Sequence, residues 1–489
     1  MEKTRNPAVQ AEKTRSDSGL RSWLEAVDQL GELRYVTGAS WQEDIGMATE
    51  ILQQTKDAPA GLFDEIPGHE PGFRVLVNNF VTIRRIALAL GLPPYNDTMA
   101  LLHLWREKLR HVDPVPPVWL KDAPVKQNII RDDEVDVLAF PTPVWHEQDG
   151  GRYIGTASAD ITRDPDEGWV NLGTYRVMVH DRNRVGFYIS PGKHGRIQRT
   201  KYFERGQPCP VAVAIGMHPL LYLASATESQ YGLSEYDWAG GILGEPVEVF
   251  EGEVTGLPLP ADAEIILEGF AFPQESLIEG PFGEWTGYYA SASREEPVMQ
   301  VQRIYHRNDP VIVGSPPTRP PDEQSRYRAF LRSAVMLDQL EQAGVPDIEG
   351  VWCHEVGGSR LWVAVSIRQR YPGHARQVGH LAASVRAGGY LGRYVIVVDE
   401  DIDPTNLEEV VWAMCTRSDP ERSIDIMARA WSGPLDPAIR PGQKGFNSRA
   451  IIDATRPFEW RDEFPPVSAM SRKRRQEALK RWAHLLNNS

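Results

Sequence analysis

The sequence predicts an α/β protein in three parts, in which a central antiparallel, split-barrel-like domain lies between two α/β domains. Three observations support this fold class. At 489 residues the chain is longer than one hydrophobic core usually organises. Residues 128–317 contain short β-rich segments separated by turn clusters, whereas helices and strands alternate before and after them. The apolar fraction of 41% is ordinary for a globular protein and allows a large core.

The N-terminal α/β domain is predicted over residues 19–125. A helix is indicated there by apolar residues with helical spacing and by a glycine that ends it: Leu20, Trp23, Leu24, Val27 and Gly31. Residues 73–77 have the pattern of a strand, and residues 82–90 that of a helix. A proline-rich stretch at 114–117 is predicted to be a connector. Residues 1–18 are polar, lack the apolar segment of a secretory signal, and are predicted to be disordered.

The central domain is predicted over residues 126–318. Its strands are predicted at 172–179, 185–189, 247–253, 264–272, 299–306 and 311–313. Because these segments are short and joined by tight turns, we expect them to pair antiparallel, as a barrel or a folded sheet. One helix is predicted to interrupt them at residues 219–225.

Residues 319–345 are predicted to form a connecting helix, and residues 346–489 a second α/β domain. The connecting helix is indicated by helical spacing and a terminal glycine: Tyr327, Leu331, Ala334, Leu337 and Gly344. The strands and helices of the last domain are predicted at 361–367, 375–387, 394–398 and 407–414, followed by a tail helix at 472–486. This alternation is typical of an α/β domain.

Composition excludes several kinds of partner. The net charge of −14 argues against non-specific binding to nucleic acid or to anionic membranes.

The three cysteines, Cys209, Cys353 and Cys415, are far apart and support neither a disulfide framework nor a cysteine zinc site. The longest uncharged run, residues 211–226, contains Pro219 and is too short to span a bilayer. We therefore expect a soluble, cytoplasmic protein.

The most informative side chains are Arg176, Glu279 and Glu284. The two glutamates flank a Gly-Pro-Phe-Gly turn, and Arg176 lies about a hundred residues earlier. A guanidinium can bind a substrate carboxylate bidentately, and one of two carboxyls in a pocket can stay protonated as an acid. The alternative is a structural ion pair. Asn171 and Arg176 are five residues apart, so a regular strand would direct them to opposite faces, unless a bulge intervenes or Asn171 precedes the strand.

A second group contains Asn171, His194 and Glu235. These residue types suit Mn²⁺ or Mg²⁺ better than a structural zinc. They lie 23 and 41 residues apart, so spacing alone does not join them, and ordinary surface or turn roles are the alternative. Two glycine-flanked basic loops, at 191–196 and 441–445, could hold a phosphate, although ordinary turns are the simpler interpretation.

Three motifs make the chain resemble the UbiD family of reversible decarboxylases, which use prenylated FMN. The motifs are Asn171-Leu172-Gly173-x-Tyr175-Arg176, Glu279-Gly280-Pro281-Phe282-Gly283-Glu284 and Pro260-Ala261-x-x-Glu264-Ile265-x-Leu267-Glu268-Gly269. The resemblance extends from the helix near Trp23 to residues 452–455. It implies that the central split-barrel-like domain binds prenyl-FMN. It also implies that the C-terminal domain forms oligomers, as a homodimer or a homohexamer.

The resemblance implies a set of cofactor-binding residues: Asn171, Thr156, His194, Ser225, Glu235 and Lys444. Of these, Asn171, His194 and Glu235 would hold a Mn²⁺ (or Mg²⁺) ion that, with K⁺, ties the cofactor phosphate to the protein. Lys444 would contact the phosphate itself.

The resemblance implies catalytic roles as well. Arg176 would bind the substrate carboxylate, Glu279 would hold Arg176, and Glu284 would protonate the carbon that loses CO₂. Trp285 follows Glu284 directly and is predicted to line a pocket for a flat ring.

The predicted function is non-oxidative, reversible decarboxylation of an aromatic, heteroaromatic or α,β-unsaturated carboxylic acid, with a separate flavin prenyltransferase supplying the cofactor. Direct loss of CO₂ from an sp² carbon leaves an unstabilised carbanion, so the modified flavin would act as the electron sink. Two alternatives remain open. An ordinary FMN oxidoreductase on a split barrel would not need Glu279 and Glu284. A non-catalytic flavin-binding subunit would not need an intact acid site.

Overall fold

The computed structural model of the chain describes residues 19–485, apart from 228, 229, 291, 441 and 444. The predicted disorder of residues 1–18 and the predicted phosphate contact Lys444 therefore lie outside the described residues. Within the described ranges, no helix combines the length and the apolar character that a bilayer-spanning segment needs.

Helices and strands alternate at both ends of the chain, and strands dominate its middle. The helices are α1 (Leu20–Gln29), α2 (Asp44–Gln54), α3 (Ile83–Ala89), α4 (Thr98–Arg110), α5 (His194–Glu204), α6 (Pro219–Ala226), α7 (Glu235–Leu243), α8 (Glu323–Gln342), α9 (His374–Ala382), α10 (Leu407–Arg417), α11 (Pro420–Ser423) and α12 (Arg472–Arg481). The strands are β1 (Leu33–Thr37), β2 (Ala60–Asp64), β3 (Arg74–Val77), β4 (Val118–Trp119), β5 (Asn128–Arg131), β6 (Arg152–Gly155), β7 (Ser158–Arg163), β8 (Val170–Gly173), β9 (Val177–Val179), β10 (Arg184–Gly186), β11 (Cys209–Ile215), β12 (Glu248–Glu251), β13 (Pro258–Pro260), β14 (Ile265–Glu279), β15 (Arg294–His306), β16 (Val311–Gly314), β17 (Ile348–Cys353), β18 (Trp362–Ile367), β19 (Tyr394–Asp399), β20 (Ile424–Trp431) and β21 (Phe446–Ala454).

The first sheet contains four strands in the order β1-β2-β3-β16. β16 runs parallel to β3, with Val311 opposite Arg74 and Gly314 opposite Val77. The prediction that residues 311–313 belong to the central antiparallel strands was therefore wrong. All four β16 residues are buried, as is typical of a parallel strand covered on both faces, and so short an apolar run does not indicate its partner.

The central sheet is a curled antiparallel half-barrel with the strand order β6-β9-β10-β15-β14-β11-β7-β8, and β5 also pairs with β15. All these pairs are antiparallel, which confirms the prediction for the strands that lie in this sheet. For the strand predicted at 247–253 it was wrong, because β12 lies in a separate three-stranded sheet, antiparallel to β13 but parallel to β4. The long β14–β15 hairpin changes register at Gly269, where a Cβ would lie 1.9 Å from the Gln300 carbonyl oxygen. Only glycine fits this irregularity, which helps the hairpin to bend.

Three helices, rather than the one predicted, interrupt the central strands: α5, α6 and α7. α5 was missed because its sequence is mostly polar, and α7 because Gly240 and Gly241 each disfavour a helix by about 1 kcal/mol. Both glycines allow close packing. A Cβ on Gly240 would lie 2.6 Å from the Val115 carbonyl oxygen, and one on Gly241 would lie 2.4 Å from that of Asp113. The proline-rich connector therefore lies directly against α7, the helix that begins at Glu235.

The C-terminal domain contains a five-stranded sheet in the order β17-β18-β19-β21-β20, flanked by helices, which confirms its α/β character. α9 ends at Ala382 rather than at residue 387, because the chain folds back on the helix. A Cβ on Gly388 would lie 1.9 Å from the Ala382 carbonyl oxygen. α8 connects the three parts, since the apolar cluster that contains Leu337 of α8 also contains Leu24 of α1, Leu220 of α6 and Val351 of β17.

Candidate active site

A break between β8 and β9 separates two groups of predicted site residues. Residues 174–176 belong to neither strand, and the Thr174 N–H donates to the Ser225 carbonyl oxygen at 3.0 Å. Asn171 lies within β8, whereas Arg176 lies in the break. The alternation of faces along a regular strand therefore does not apply to this pair.

Arg176 donates hydrogen bonds to both predicted carboxylates. Nε and Nη2 donate to Oε1 and Oε2 of Glu279 at 2.8 and 2.7 Å, a bidentate pair. Nη1 donates to Oε1 of Glu284 at 2.9 Å. Three of the five N–H groups of the guanidinium are therefore engaged by these carboxylates, which leaves one N–H on Nη1 and one on Nη2.

The Glu279 carboxylate is held from several sides. Glu279 is the last residue of β14 and is 1% exposed. Its Oε1 also accepts a hydrogen bond from the Tyr153 hydroxyl at 3.1 Å. The predicted turn begins at Gly280, whose φ is 86°, and the next carbonyl, of Pro281, accepts from the Gly150 N–H at 2.8 Å. The turn that carries Glu284 is thus tied to the loop before β6.

The groups of this acid site differ in proton affinity. Burial raises the pKa of the Glu284 carboxyl, and the charge of Glu279 adds to this effect while Arg176 opposes it. Burial alone would lower the pKa of Arg176, but the hydrogen bonds and charge of Glu279 outweigh burial and raise it. Burial, followed by the charge of Glu279, raises the pKa of the Tyr153 hydroxyl. The site therefore combines a permanent cation with an acid that keeps its proton to higher pH than a free glutamic acid.

A second guanidinium lies beside this group. Arg294 stands opposite Glu279 in the β14–β15 register, and its Nε donates to Glu296 Oε1 at 2.5 Å. The Cζ atoms of Arg294 and Arg176 each lie 4.6 Å from the centroid of the Tyr188 ring. One aromatic ring therefore contacts both cations.

The predicted metal ligands lie around the start of the break: Asn171 in β8, His194 at the first position of α5 and Glu235 at the first position of α7. Oε2 of Glu235 accepts from the Leu172 N–H at 2.7 Å, next to Asn171. The Tyr175 hydroxyl accepts from the Gly195 N–H at 3.3 Å, next to His194. The fold thus brings together three positions that are far apart in sequence.

Buried polar atoms here fit a cation and an anionic cofactor group. Asn171 and Glu235 are 2% and 3% exposed. The Asn171 side chain interacts with the Tyr175 hydroxyl. The buried Ser234 Oγ, next to Glu235, lacks a hydrogen-bond partner among the described residues, a state that costs about 1–3 kcal/mol. A cation with a phosphate would relieve this cost. In the described part of the chain no group of three or more His, Cys, Asp or Glu could hold a metal, so a metal here would need the Asn171 amide.

The other predicted cofactor neighbours are buried near the same break. Thr156 Oγ1 accepts from the Ser315 N–H at 3.0 Å. Ser225 Oγ donates to the Leu221 carbonyl oxygen at 2.8 Å, while the Ser225 carbonyl accepts from Thr174 as described above.

Trp285 contacts the C-terminal domain. Its Cε3 lies 2.4 Å from the position that a Cβ on Gly358 would take, and the Arg360 Cζ lies 5.8 Å from the centre of the ring. The ring therefore lies between the turn that carries Glu284 and the C-terminal domain. Its role in a substrate pocket stays a prediction.

Four side chains of this region have no role predicted from the sequence: Tyr153, Tyr175, Tyr188 and Arg294. Tyr175 lies inside a quoted motif, directly before Arg176, and could have been found there. No sequence signal identifies the other three, because strand register places Tyr153 and Arg294, and the tertiary fold places Tyr188 against both arginines.

Three domain families match nearly the whole chain. The chain matches the N-terminal, Rift-related and C-terminal domains of 3-octaprenyl-4-hydroxybenzoate carboxy-lyase, known as UbiD, at residues 24–105, 117–320 and 327–454. It is 31% identical over 484 residues to the pyrrole-2-carboxylic acid decarboxylase of Pseudomonas aeruginosa, covering 96% of this chain and 97% of that protein. It is 34% identical over 453 residues to the phenolic acid decarboxylase of Sedimentibacter hydroxybenzoicus, covering 90% and 91%.

A solved structure has the same fold. The UbiD-class enzyme HmfF from Pelotomaculum thermopropionicum, in complex with FMN, superposes with a TM-score of 0.83 at 31% identity, covering 93% of this chain and 98% of that one. An evolved dimeric form of the same enzyme, in complex with prFMN, superposes with a TM-score of 0.79 at 29% identity, covering 92% and 97%.

Proposed function

This chain belongs to the UbiD family of carboxy-lyases, and on that premise we propose that it reversibly removes CO₂ from an aromatic or heteroaromatic carboxylic acid. The observation that carries the proposal is the buried guanidinium of Arg176, held by the carboxyl groups of Glu279 and Glu284. The relatives named for pyrrole-2-carboxylic and phenolic acids support the substrate class.

The proposed cofactor is prenylated FMN, in line with the FMN and prFMN complexes of the solved relative. Asn171, His194 and Glu235 would hold Mn²⁺ or Mg²⁺, which with K⁺ would bind the cofactor phosphate, and Thr156 and Ser225 would lie beside the cofactor. The buried Ser234 Oγ, which directly precedes Glu235 and lacks a hydrogen-bond partner in the described part of the chain, supports a bound ligand at this place. When bound, the modified flavin supplies the electron sink for the electron pair that CO₂ leaves behind.

Arg176 would bind the substrate carboxylate through the two N–H groups that Glu279 and Glu284 do not engage. Glu279 fixes the guanidinium plane bidentately, so the arginine loses little side-chain freedom when the substrate arrives. The fixed plane orients the carboxylate, and therefore the bond that breaks.

Glu284 would deliver the proton that replaces CO₂. A substrate carboxylate on Arg176 adds a negative charge to that of Glu279, so substrate binding further favours the neutral form of Glu284. After CO₂ leaves, Glu284 protonates the ring carbon and becomes a carboxylate that Arg176 stabilises. Solvent then returns a proton to Glu284, and in the carboxylation direction Glu284 accepts the proton instead.

Two further assignments extend the proposal. The C-terminal domain would form the homodimer or homohexamer, in line with its exposed aromatic and aliphatic side chains, Tyr394, Ile426, Trp431 and Phe446. A separate flavin prenyltransferase would supply the cofactor.

The test is expression with and without a flavin prenyltransferase, followed by mass spectrometry of the bound cofactor and by CO₂ release from pyrrole-2-carboxylate and vanillate. We expect prenylated FMN and CO₂ release only after co-expression. Full decarboxylation with unmodified FMN would contradict the cofactor assignment. Hydride transfer to bound FMN without CO₂ release would favour an oxidoreductase, and flavin binding without either reaction would favour a non-catalytic subunit.

A further inference from the structure

We propose that Arg294 is a second guanidinium of the acid site, a positioning residue that shares the Tyr188 ring with Arg176 and acts on Glu284. This inference rests on the proposed function for the role of Glu284 as proton donor. The position of Arg294 follows from the fold alone.

Three contacts hold Arg294 at the site. Its backbone pairs with that of Glu279, the residue that fixes Arg176. Its Nε donates to Glu296 Oε1, and its Cζ lies 4.6 Å from the centre of the Tyr188 ring. The Arg294 side chain is 39% exposed and that of Arg176 is 10% exposed, so Arg294 lies at the outer side of the site.

Tyr188 explains how two cations remain close together. Arg176 and Arg294 each lie 4.6 Å from the same ring centre, so their Cζ atoms are no more than twice that distance apart. Two guanidinium ions at this range repel each other. The negative electrostatic potential of an aromatic face attracts both, so the ring offsets the repulsion and keeps Arg294 from turning towards solvent.

Three charged groups act on Glu284: Arg176 from the break, Glu279 from β14 and Arg294 from β15. On its neighbours in the chain, the His146 ring lies beside Gly283 and pairs with Asp149, and Arg360 lies beside the Trp285 ring. Burial raises the pKa of Glu284 most, and the charge of Glu279 adds to it, whereas Arg176 and Arg294 lower it. Arg176 is the cation that opposes burial most, and Arg294 is a second cation that lowers the pKa of Glu284.

The consequence is a defined pH dependence. Glu284 must be protonated to act as the acid, so activity is lost as pH rises through its pKa. Arg294→Gln removes the positive charge and raises that pKa, which moves the basic limb of the activity profile to higher pH. Arg294→Lys keeps the charge and should leave the limb near its wild-type position.

The experiment compares the flavin-loaded wild type with Arg294→Gln, Arg294→Lys and a control, Arg184→Gln. Arg184 is similarly exposed, at 43%, pairs with Asp181, and is not among the groups that shift the pKa of Glu284. The pH profile of kcat/KM on pyrrole-2-carboxylate is one measurement. The other is the infrared band of the protonated Glu284 carboxyl, identified by its loss in Glu284→Gln and followed against pH without substrate.

We expect Arg294→Gln to raise the infrared midpoint and the basic limb by about one pH unit, the shift that a neighbouring charge typically produces. In Arg294→Lys and in Arg184→Gln, the infrared midpoint of Glu284 should equal that of the wild type. A wild-type infrared midpoint in Arg294→Gln would overturn the proposal, even if decarboxylation is confirmed. If the wild type decarboxylates no acid, the proposed function fails, and the infrared midpoint still decides whether Arg294 acts on Glu284.

Tyr188→Leu provides a test that leaves every charge in place. Without the ring, Arg294 should move away from the site, so the infrared midpoint of Glu284 should rise in the same direction as in Arg294→Gln. An unchanged midpoint in Tyr188→Leu would show that the ring does not position Arg294.

Discussion

Replacing Glu279 by Gln removes one charge from the buried ion pair of the acid site and keeps the shape of the side chain. Glu279 and Arg176 have side-chain exposures of 1% and 10%, and their hydrogen bonds are 2.7 and 2.8 Å long. Removing one partner of a buried pair typically costs about 3–5 kcal/mol, because the other charge is left buried and uncompensated. Glu284 still pairs with Arg176 at 2.9 Å. We therefore expect Glu279→Gln to lower the free energy of unfolding by about 3 kcal/mol, the lower end of that range.

The assay is urea denaturation of the cofactor-free protein, followed by tryptophan fluorescence. The matched control is Glu349→Gln, because Glu349 forms a 3.0 Å pair with Arg368 in which the side chains are 41% and 62% exposed. Such an exposed pair contributes less than about 1 kcal/mol to the free energy of unfolding. If Glu279→Gln lowers the free energy of unfolding no more than Glu349→Gln, Glu279 does not hold Arg176 in the way the distances indicate.

Three further predictions concern proton delivery, the metal and acid stability. Glu284→Gln should lower turnover about 10²–10⁴-fold with normal flavin content, and wild-type deuterium incorporation from D₂O into the product would exclude Glu284 as the donor. His194→Ala and Glu235→Ala should fold yet purify nearly free of flavin and manganese, and normal absorbance and metal content in both would remove the metal assignment. His218 Nδ1 accepts from the Leu220 N–H at 3.0 Å, and burial lowers its pKa from 6.5 to about 4. It is therefore neutral in the folded protein, and the stability that is complete above pH 6.5 should be lost as pH falls towards 4. His218→Asn can still cap the helix, so it should flatten that part of the curve of unfolding midpoint against pH.

The sequence alone determined the features that depend on local patterns. Helical spacing after Leu20 and around Leu337 predicted helices that the structure confirms. Short strands joined by tight turns predicted the antiparallel sheet of the middle part. The motifs that contain Arg176 and the two glutamates indicated the family and the acid group, because long runs of specific residues carry information that single residues do not.

Only the tertiary structure decided which distant segments meet. β16 follows β15 in sequence but pairs with β3, and Trp285 follows Glu284 but contacts Gly358. Arg294 joins the acid site through strand register and through a ring that it shares with Arg176. The physical reason is that the apolar pattern of a strand specifies which of its two faces is buried. Which strand lies beside it, and in which register, depends instead on packing across the whole sheet.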